Sequence, residues 1–424
     1  MSIVDKSPLI VKQGWSGVRD LAKQPLSGVR VLEIGNYLAG PFCGMQLADL
    51  GADVIKIEHP EGGDIVRQTA PFVGAESSSF LRLNRNKRSL ALDLKSTDGK
   101  EIFRRLVETA DVVVENLRPG TMGDLELDYQ RLRSINPRLV YVAASGWGQD
   151  GPLSRLPGLD IMAQARSGLM SITGTAGGDP VKVGVPICDL ACALYATIGA
   201  LAALHVRAET GEGQLVDVCL FESGVSLAVW EAGKYFATHE VPQPMGSAHQ
   251  NLAPYQAIHS ADGWFTVGAT TPANWSGFCR ALGLEHLEQD EVYHDANLRF
   301  RHRDSLIPQI EAKTRTRNTE HWIARLEEAG VPCAPIHDYG QVFNDPHLLA
   351  REYFWDAADA MLGPIRQLGN PVRLSKTPLR RERAAPRLGE DSEAILTELG
   401  HSKDQVEELM QRGVTGSPVR SETR

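Results

Sequence analysis

Over the first 150 residues, short continuous apolar runs alternate with stretches in which apolar residues recur at helical spacing. The runs have the length of buried strands, and the stretches between them have the length of amphipathic helices. Strands separated by such helices predict right-handed strand–helix–strand units and therefore a parallel sheet. The predicted strands are VRVLEI (29–34), VIKIE (54–58), DVVVEN (111–116) and RLVYVAAS (138–145), and the predicted helices span 40–52, 98–110 and 128–137.

The pattern changes after about residue 225. Residues 240–275 are rich in turn residues and carry one Asp-Gly pair between two candidate strands, which predicts a hairpin. Two amphipathic helices are predicted near 304–315 and 318–329. Apolar residues in 331–348 are interpreted as a return to the sheet, and the polar residues at the C-terminal end are expected to fray.

A chain of 424 residues is long for one compact core, so two domains are expected. The patterns predict a large α/β domain built from both ends of the chain, 1–224 and 331–424. A smaller α+β domain is predicted to be inserted at 225–330.

Charge and cysteine usage narrow the class of protein. The chain has 44 basic and 53 acidic residues, a formal charge of −9, and no basic stripe of the kind that binds nucleic acid. Its six cysteines lack CxxC or CxxH spacing, which predicts buried, reduced thiols and no metal site. The longest apolar stretch, Leu190 to Val206, is shorter than the ~20 residues of a membrane span. We therefore expect a cytoplasmic protein that partners neither nucleic acid nor membrane.

The first predicted strand leads into EIGNYLAGPFCG (33–44), at the edge of the sheet where α/β proteins bind ligands. This stretch is not a GxGxxG fingerprint, and the chain has no Walker motif, GxSxG or HExxH. A glycine-bearing turn into a helix could still cradle another phosphate. Nearby basic residues fit either a solvated loop or a phosphate site, and the pattern leaves both open: Arg67, Arg85, Lys87, Arg88 and Lys95.

Two acidic residues, Asp160 and Asp189, each stand at the start of an apolar helical stretch. Helix capping is the simpler interpretation for both. A carboxylate at a helix N-terminus is also expected to stay ionised, and an ionised carboxylate can attack a thioester carbonyl. The spacing alone does not separate these roles.

Several motifs occur in an order that resembles the class III (CaiB/BaiF) CoA-transferases, from about residue 26 to about residue 395. They are VLEIGNYLAGPFCGMQLADLGADVIKIEHPEGGD (31–64), NRNKRSLALDLKSTDGK (84–100), DVVVENLRPG (111–120), GWGQDGP (146–152), DIMAQARSGLMSITG (160–174), VGVPICDL (183–190) and TGEGQLVDV (210–218).

The resemblance implies a Rossmann-like large domain, a small domain, and two chains threaded through each other as an interlocked homodimer. It implies acyl-CoA and a small carboxylic acid as substrates, with no permanently bound cofactor. The family's nucleophilic aspartate falls on Asp189, which would form an aspartyl mixed anhydride and then an aspartyl-CoA thioester.

The same family contains α-methylacyl-CoA racemases, which remain the alternative function. These enzymes use the aspartate together with a histidine thirty residues earlier, in a GHD motif. Here the motif reads GLD, with Leu159 in place of the histidine. Leucine cannot move a proton, so this departure favours CoA transfer.

Family contacts to CoA carry over to residues that follow the predicted strands. His59 and Asp124 stand where formyl-CoA transferases have arginines, so the phosphates must be bound differently, with Arg118, Arg88 or Arg67 as candidates. The segment MGSAHQNLAPYQAI (245–258) resembles members that use succinyl-CoA and dicarboxylate acceptors more than it resembles formyl-CoA transferases. The expected CoA contacts are Asn36, Tyr37, Leu38, Ala39, His59, Leu92, Lys95, Asn116, Leu117 and Arg118.

Overall fold

A computed structural model of the chain describes residues 24–417 and has a mixed α/β fold. Its strands are β1 Arg30–Ile34, β2 Asp53–Glu58, β3 Phe72–Val73, β4 Glu76–Ser77, β5 Arg88–Leu92, β6 Val112–Glu115, β7 Val140–Ser145, β8 Leu215–Cys219, β9 Tyr255–His259, β10 Trp264–Gly268, β11 Cys333–Pro335, β12 Phe354–Asp359, β13 Gly363–Leu368 and β14 Thr415–Gly416.

The helices are α1 Ala39–Asp49, α2 Ser78–Leu83, α3 Thr97–Val107, α4 Thr121–Asp124, α5 Tyr129–Ile135, α6 Asp160–Arg166, α7 Leu169–Ile172, α8 Ile187–Thr210, α9 Leu220–Ser226, α10 Val229–Thr238, α11 Pro272–Leu282, α12 Glu285–Glu288, α13 Ala296–Arg301, α14 Arg303–Thr314, α15 Thr319–Glu328, α16 Tyr339–Val342, α17 Pro346–Ala350, α18 Ser392–Glu398 and α19 Lys403–Gln411. Short 3-10 helices span Ile65–Gln68 and Glu291–Tyr293.

The chain divides into two compact units. Among the described residues, the first comprises 24–144, Ala193–Asp217 and 354–417, and the second comprises Ser145–Cys192 and Val218–Tyr353. The predicted insert, 225–330, falls entirely within the second unit. The predicted bounds of the two domains, 1–224 with 331–424 and 225–330, stay a prediction.

A seven-stranded sheet in the order β14-β5-β2-β1-β6-β7-β8 forms the centre of the first unit. The ladders β5–β2, β2–β1, β1–β6 and β6–β7 are parallel, which confirms the predicted parallel sheet and its predicted strands. Helices cover such strands on both faces, so their sequences are continuous apolar runs. The carboxyl ends of β5, β2, β1 and β6 consequently meet at one edge of the sheet.

One face of this sheet is covered partly by the C-terminal helices. Ile395 and Leu396 of α18 and Val406 and Leu409 of α19 are buried in the same core cluster as the strands. Strand β14 then pairs antiparallel with β5. The expectation that the C-terminal residues fray is therefore wrong up to Gly416, because apolar residues spaced along a polar helix still bury one face.

The apolar helix α8 is 24 residues long, longer than the apolar stretch in the sequence. By length and mean hydropathy (1.9) it is the one helix among residues 24–417 that could cross a membrane, and 44% of its most apolar part is buried in the fold. Its middle lies against the sheet, since a Cβ on Gly199 would come 2.5 Å from Val216. Near its C-terminus, Arg207 forms an ion pair with Asp111 at 2.8 Å.

In the second unit, β9 and β10 form the predicted Asp-Gly hairpin, and α14 and α15 occur close to the two predicted helices. The interpretation of 331–348 as a return to the main sheet is wrong. Strand β11 instead pairs antiparallel with β10 in a three-stranded sheet.

Candidate active site

The carboxylate of Asp189 lies in the first turn of α8, two residues after the helix begins. Its position is set by a second carboxylate in the same unit. Asp160 Oδ1 accepts hydrogen bonds from the backbone N–H of Cys188 (2.9 Å) and of Asp189 (3.3 Å). Asp160 thus satisfies two of the donors that a helix N-terminus leaves unpaired.

Asp160 is in turn held by Gln164, one turn further along α6. The Gln164 amide donates to Asp160 Oδ2 at 2.6 Å, and its Oε1 accepts from the Val183 N–H at 2.8 Å. Gln164 is fully buried. Through these hydrogen bonds, α6 holds both the segment before α8 and the N-terminus of α8 in place.

Capping of its own helix was the simpler interpretation for each acid, and the structure shows this for neither. Asp160 caps α8 rather than its own helix, whose N-cap residue, Leu159, makes no side-chain cap. Asp189 is inside α8, and none of the residues 24–417 donates a hydrogen bond to its side chain.

Burial, and then the negative charge of Asp160, raise the pKa of Asp189 to about 7 from its ordinary 3.8. Asp189 is therefore only about half ionised at neutral pH, less than expected for a carboxylate at a helix N-terminus. The reason is geometric, because the amides that would stabilise the Asp189 anion donate to Asp160 instead. A carboxyl group poised near neutrality in a partly buried site is typical of a group that takes part in chemistry.

Leu159, immediately before Asp160, is 56% exposed. Leu159 therefore directly precedes the residue whose carboxylate contacts the turn that carries Asp189. The side chain at this position is apolar and cannot exchange a proton.

The expected CoA contacts lie in the first unit, at the carboxyl edge of the sheet. The loops after β1 and β6 are joined there by a reciprocal pair of hydrogen bonds. The Asn36 N–H donates to Asn116 Oδ1 (2.9 Å), and Asn116 Nδ2 donates to the Asn36 carbonyl (2.8 Å). A Cβ on Gly35 or on Gly40 would come 3.0 Å from Asn116 Oδ1, so a larger residue at either position would press on the Asn116 side chain.

The rest of the loop after β1 leads directly into α1. Tyr37 adopts a left-handed conformation (φ 62°), and its side chain is 52% exposed. Leu38 is the N-cap residue of α1, and Ala39, its first residue, is buried. Tyr37 is therefore the member of this loop that displays a large side chain.

The other expected contacts differ in what they offer a ligand. Lys95 and Arg118 are exposed, and His59 is half exposed, with Nε2 3.7 Å from Asp93. Leu117 packs partly against the core, and Leu92 is 1% exposed. The side chain of Leu92 is therefore not accessible to CoA, although β5, which it ends, forms part of the carboxyl edge of the sheet.

Four of the basic residues form ion pairs within the fold, so the interpretation as a solvated loop is wrong for them. Arg67 donates two hydrogen bonds to Glu58 (2.6 and 2.7 Å). Arg85 pairs in the same way with Asp49, and Lys87 lies 2.6 Å from Glu33. Arg88 pairs with Asp53 and Glu398. This leaves neither Arg67 nor Arg88 as a ready phosphate ligand, while Lys95 stays on the surface.

Sequence reasoning missed a set of buried charges beneath the same edge. Glu33, Lys56 and Asp64 are each fully buried and paired. Glu115, at the end of β6, is also buried, and burial raises its pKa to about 7, although the Leu117 N–H donates to it at 2.7 Å. The available signal was a charged residue inside an apolar strand, as in VLEI and VIKIE.

Among residues 24–417, no group of three or more His, Cys, Asp or Glu side chains could hold a metal ion. Cys188, next to Asp189, is buried, and burial raises the pKa of its thiol to about 11, which disfavours a thiolate nucleophile.

The family model of CoA-transferase family III matches residues 26–392. The chain is 37% identical to human succinyl-CoA:glutarate CoA-transferase over 393 residues, covering 92% of this chain and 90% of that protein. It is 39% identical to succinyl-CoA:mesaconate CoA-transferase of Haloarcula hispanica over 387 residues (88% and 96% covered). The crystal structure of a CaiB/BaiF family protein from Brucella suis superposes with a TM-score of 0.81 at 36% identity, covering 89% of this chain and 99% of that one.

The raised pKa of Asp189 predicts a stability cost that grows with pH. Between about pH 4 and pH 7 the folded protein keeps a proton on Asp189 that the unfolded chain has lost, so raising the pH lowers the free energy of unfolding. The change from 3.8 to about 7 corresponds to about 4 kcal/mol, which partial exposure reduces to about 2 kcal/mol. We expect Asp189→Asn to match the wild type at pH 4 and to exceed its stability by about 2 kcal/mol at pH 8, measured by urea unfolding.

Asp179→Asn is the matched control, because Asp179 is an exposed acid of the same unit. A stability difference between Asp189→Asn and wild type that does not change between pH 4 and pH 8 would contradict the prediction.

The contact with Asp160 predicts a second effect. Asp160→Asn keeps an oxygen that can accept from the α8 amides but removes the charge beside Asp189, so the pKa of Asp189 should fall by about 1 unit. Carboxyl-carbon NMR titration of aspartate-labelled protein, with the Asp189 signal assigned by its loss in Asp189→Asn, measures the change. An unmoved titration midpoint in folded Asp160→Asn would show that burial alone sets this pKa.

Proposed function

The chain belongs to CoA-transferase family III, and on that basis we propose that it moves CoA from succinyl-CoA to a free dicarboxylic acid. The relatives named for succinyl-CoA, glutarate and mesaconate support this substrate class. CoA enters and leaves as a substrate and is not a permanently bound cofactor. The observation that carries the proposal is the carboxyl group of Asp189. It is held at the start of α8, and none of the residues 24–417 donates a hydrogen bond to it.

In the proposed mechanism the ionised Asp189 carboxylate attacks the thioester carbonyl and expels the CoA thiolate, which gives a mixed anhydride. The thiolate then attacks the Asp189 carbonyl and releases succinate, leaving an aspartyl-CoA thioester. The acceptor carboxylate attacks this thioester and expels the thiolate again. The thiolate attacks the acceptor's acyl carbon, which frees Asp189 and forms the new acyl-CoA.

The pKa near 7 makes Asp189 chemically suitable for the attacking step of this cycle, because part of the group is ionised at neutral pH. A carboxylate whose anion is poorly stabilised in the free protein is a stronger nucleophile than one held by hydrogen bonds. Leu159 supports transfer over racemisation, since the position that would carry the second base is apolar.

We propose that CoA binds at the carboxyl edge of the Rossmann-like sheet. The Asn36–Ala39 loop and Asn116 would contact the pantetheine or nucleotide. Lys95 and Arg118 are exposed cations at this edge, and they would take the phosphates that formyl-CoA transferases bind with arginines at positions 59 and 124.

We also propose the interlocked homodimer. Helix α10 supports it, because none of its ten residues is buried although four of them are large and apolar. Trp230 is 71% exposed and Phe236 76% exposed. A monomer seldom leaves such a surface uncovered. We place the enzyme in the cytoplasm on the basis of its buried free thiols, such as Cys43 and Cys279.

The transfer reaction is tested by supplying succinyl-CoA with a panel of dicarboxylates and separating the CoA esters. We expect Asp189→Ala to lose activity by on the order of 10³-fold or more, with Asp179→Asn unchanged. With acyl-CoA present, borohydride should reduce Asp189 to homoserine and hydroxylamine should convert it to the hydroxamate, both detectable by mass spectrometry.

Transfer retained in Asp189→Ala, with no label on Asp189 in the wild type, would refute the mechanism. Deuterium exchange at the α-carbon without any acceptor acid would favour the racemase alternative.

The dimer is tested by mixing tagged and untagged protein. An interlocked pair cannot exchange subunits without unfolding, so we expect no mixed dimers until the temperature approaches the unfolding midpoint. Phe236→Asp should lower the assembly yield, whereas Met361→Asp, at another exposed apolar position, should not. A monomer at micromolar concentration, or rapid exchange, would contradict the proposal.

A further inference from the structure

The loop after β1 is held from below by buried charged side chains. Lys56 Nζ donates to the Gly35 carbonyl at 2.8 Å, and Asp64 Oδ1 accepts from the Tyr37 N–H at 3.2 Å. Lys56 and Asp64 are themselves an ion pair at 3.0 Å, with no exposed side-chain surface on either. The two side chains that hold the loop, Lys56 and Asp64, therefore form one buried ion pair.

This ion pair extends to β1 on one side of β2 and to the residue before β5 on the other. Glu33 of β1 accepts from Lys56 Nζ at 2.8 Å and pairs with Lys87 at 2.6 Å. Burial alone would lower the pKa of Lys56, but Glu33, Asp64 and Glu58 outweigh it and keep the ammonium charged. Charges buried this completely persist only when each finds partners. We call Glu33, Lys56, Asp64 and Lys87 the buried frame.

A second layer fixes Asp64. Its backbone N–H donates to Glu58 Oε2 at 3.0 Å, and Glu58 receives two hydrogen bonds from Arg67. Asp64 Oδ1 also caps the 3-10 helix through the Val66 N–H at 3.0 Å. The carboxylate that contacts Tyr37 therefore has little freedom to move.

The consequence appears at Tyr37. A tyrosine in the left-handed region is disfavoured about tenfold relative to its ordinary conformations, and here φ is 62°. The Asp64 hydrogen bond reaches the Tyr37 amide itself. With its backbone held in this way, the Tyr37 ring is directed outward, half exposed, at the edge of the sheet.

We infer that Lys56 and Asp64 are positioning residues for acyl-CoA: they hold Tyr37 in its left-handed conformation so that its ring contacts the CoA moiety. This inference rests on the proposed function. Lys56 and Asp64 then contribute to substrate binding as well as to stability, because the contact between the Tyr37 ring and CoA depends on them.

The test is a double-mutant cycle between Asp64 and Tyr37. Asp64→Asn puts an amide NH2 where Asp64 Oδ2 now lies 3.0 Å from the Lys56 ammonium, so the side chain is repelled from its place beside the Tyr37 N–H. It should raise the KM for succinyl-CoA about tenfold, while kcat and the KM for the acceptor acid change less than about twofold. Glycine adopts the left-handed conformation without cost and has no ring to place. In a Tyr37→Gly background, Asp64→Asn should therefore change the KM for succinyl-CoA less than about twofold.

Asp49→Asn is the matched control, since Asp49 is a buried, ion-paired aspartate at the far end of α1. It should lower the unfolding midpoint as Asp64→Asn does but leave the KM for succinyl-CoA unchanged. An unaltered KM in Asp64→Asn, a full effect that persists in the Tyr37→Gly background, or an equal KM increase in Asp49→Asn would each overturn the inference.

Tyr37 can be changed without disturbing the buried frame, so the ring contact is testable even if Asp64→Asn does not fold. Tyr37→Phe should keep the wild-type KM for succinyl-CoA, and Tyr37→Gly should raise it about tenfold. Equal KM values for Tyr37→Gly and wild type would overturn the inference. Failure of the proposed function looks different, because the wild type itself would then neither bind CoA in calorimetry nor transfer it.

Discussion

The ion pair between Lys56 and its two carboxylate partners is the constraint on which the first unit depends. It joins β1, β2 and the turn after β2 in a region without solvent, where an unpaired charge would be prohibitively unfavourable. Removing one member of a buried pair costs about 3–5 kcal/mol, more than a typical core substitution. The sheet edge is therefore specified by electrostatics, whereas the sheet itself is specified by apolar packing.

The second unit uses charge in the opposite way. Asp160 and Asp189 are two acids at one helix N-terminus, and the amides go to Asp160. The carboxylate that gains the hydrogen bonds becomes part of the scaffold, and the other is left with a raised pKa. Two residues of the same type thus acquire different chemistry from their surroundings alone, which is how many active sites separate an inert acid from a reactive one.

The sequence predicts the parallel sheet because buried strands such as Val112–Glu115 are continuous apolar runs that few other structures produce. The prediction that the C-terminal residues fray is wrong at α19, because most of its residues are polar although Val406 and Leu409 are buried. Prediction from the sequence also fails for the arginines and lysines, because composition does not tell a solvated cation from one paired with an acid distant in sequence. Arg88 and Glu398 are 310 residues apart.

The candidate site shows the same division. Family motifs indicate Asp189 and the loops at the sheet edge, and the spacing of Asp160 predicts a cap. Neither indicates that the cap serves a different helix, since that contact spans 28 residues and depends on how α6 and α8 meet. The buried frame is harder to predict, because a charged residue inside an apolar strand indicates a buried charge but does not identify its partners.

Helix α10 has a consequence for the life of the newly made chain. A ten-residue helix is marginal in water on its own, and none of the residues of α10 is fully buried in the fold. Until they are covered, Trp230 and Phe236 form an exposed apolar surface that promotes aggregation during and just after synthesis. The yield of active protein should thus depend on how quickly this surface is covered, so that crowding of nascent chains, growth temperature and chaperone supply control the amount of enzyme as directly as the stability of its core.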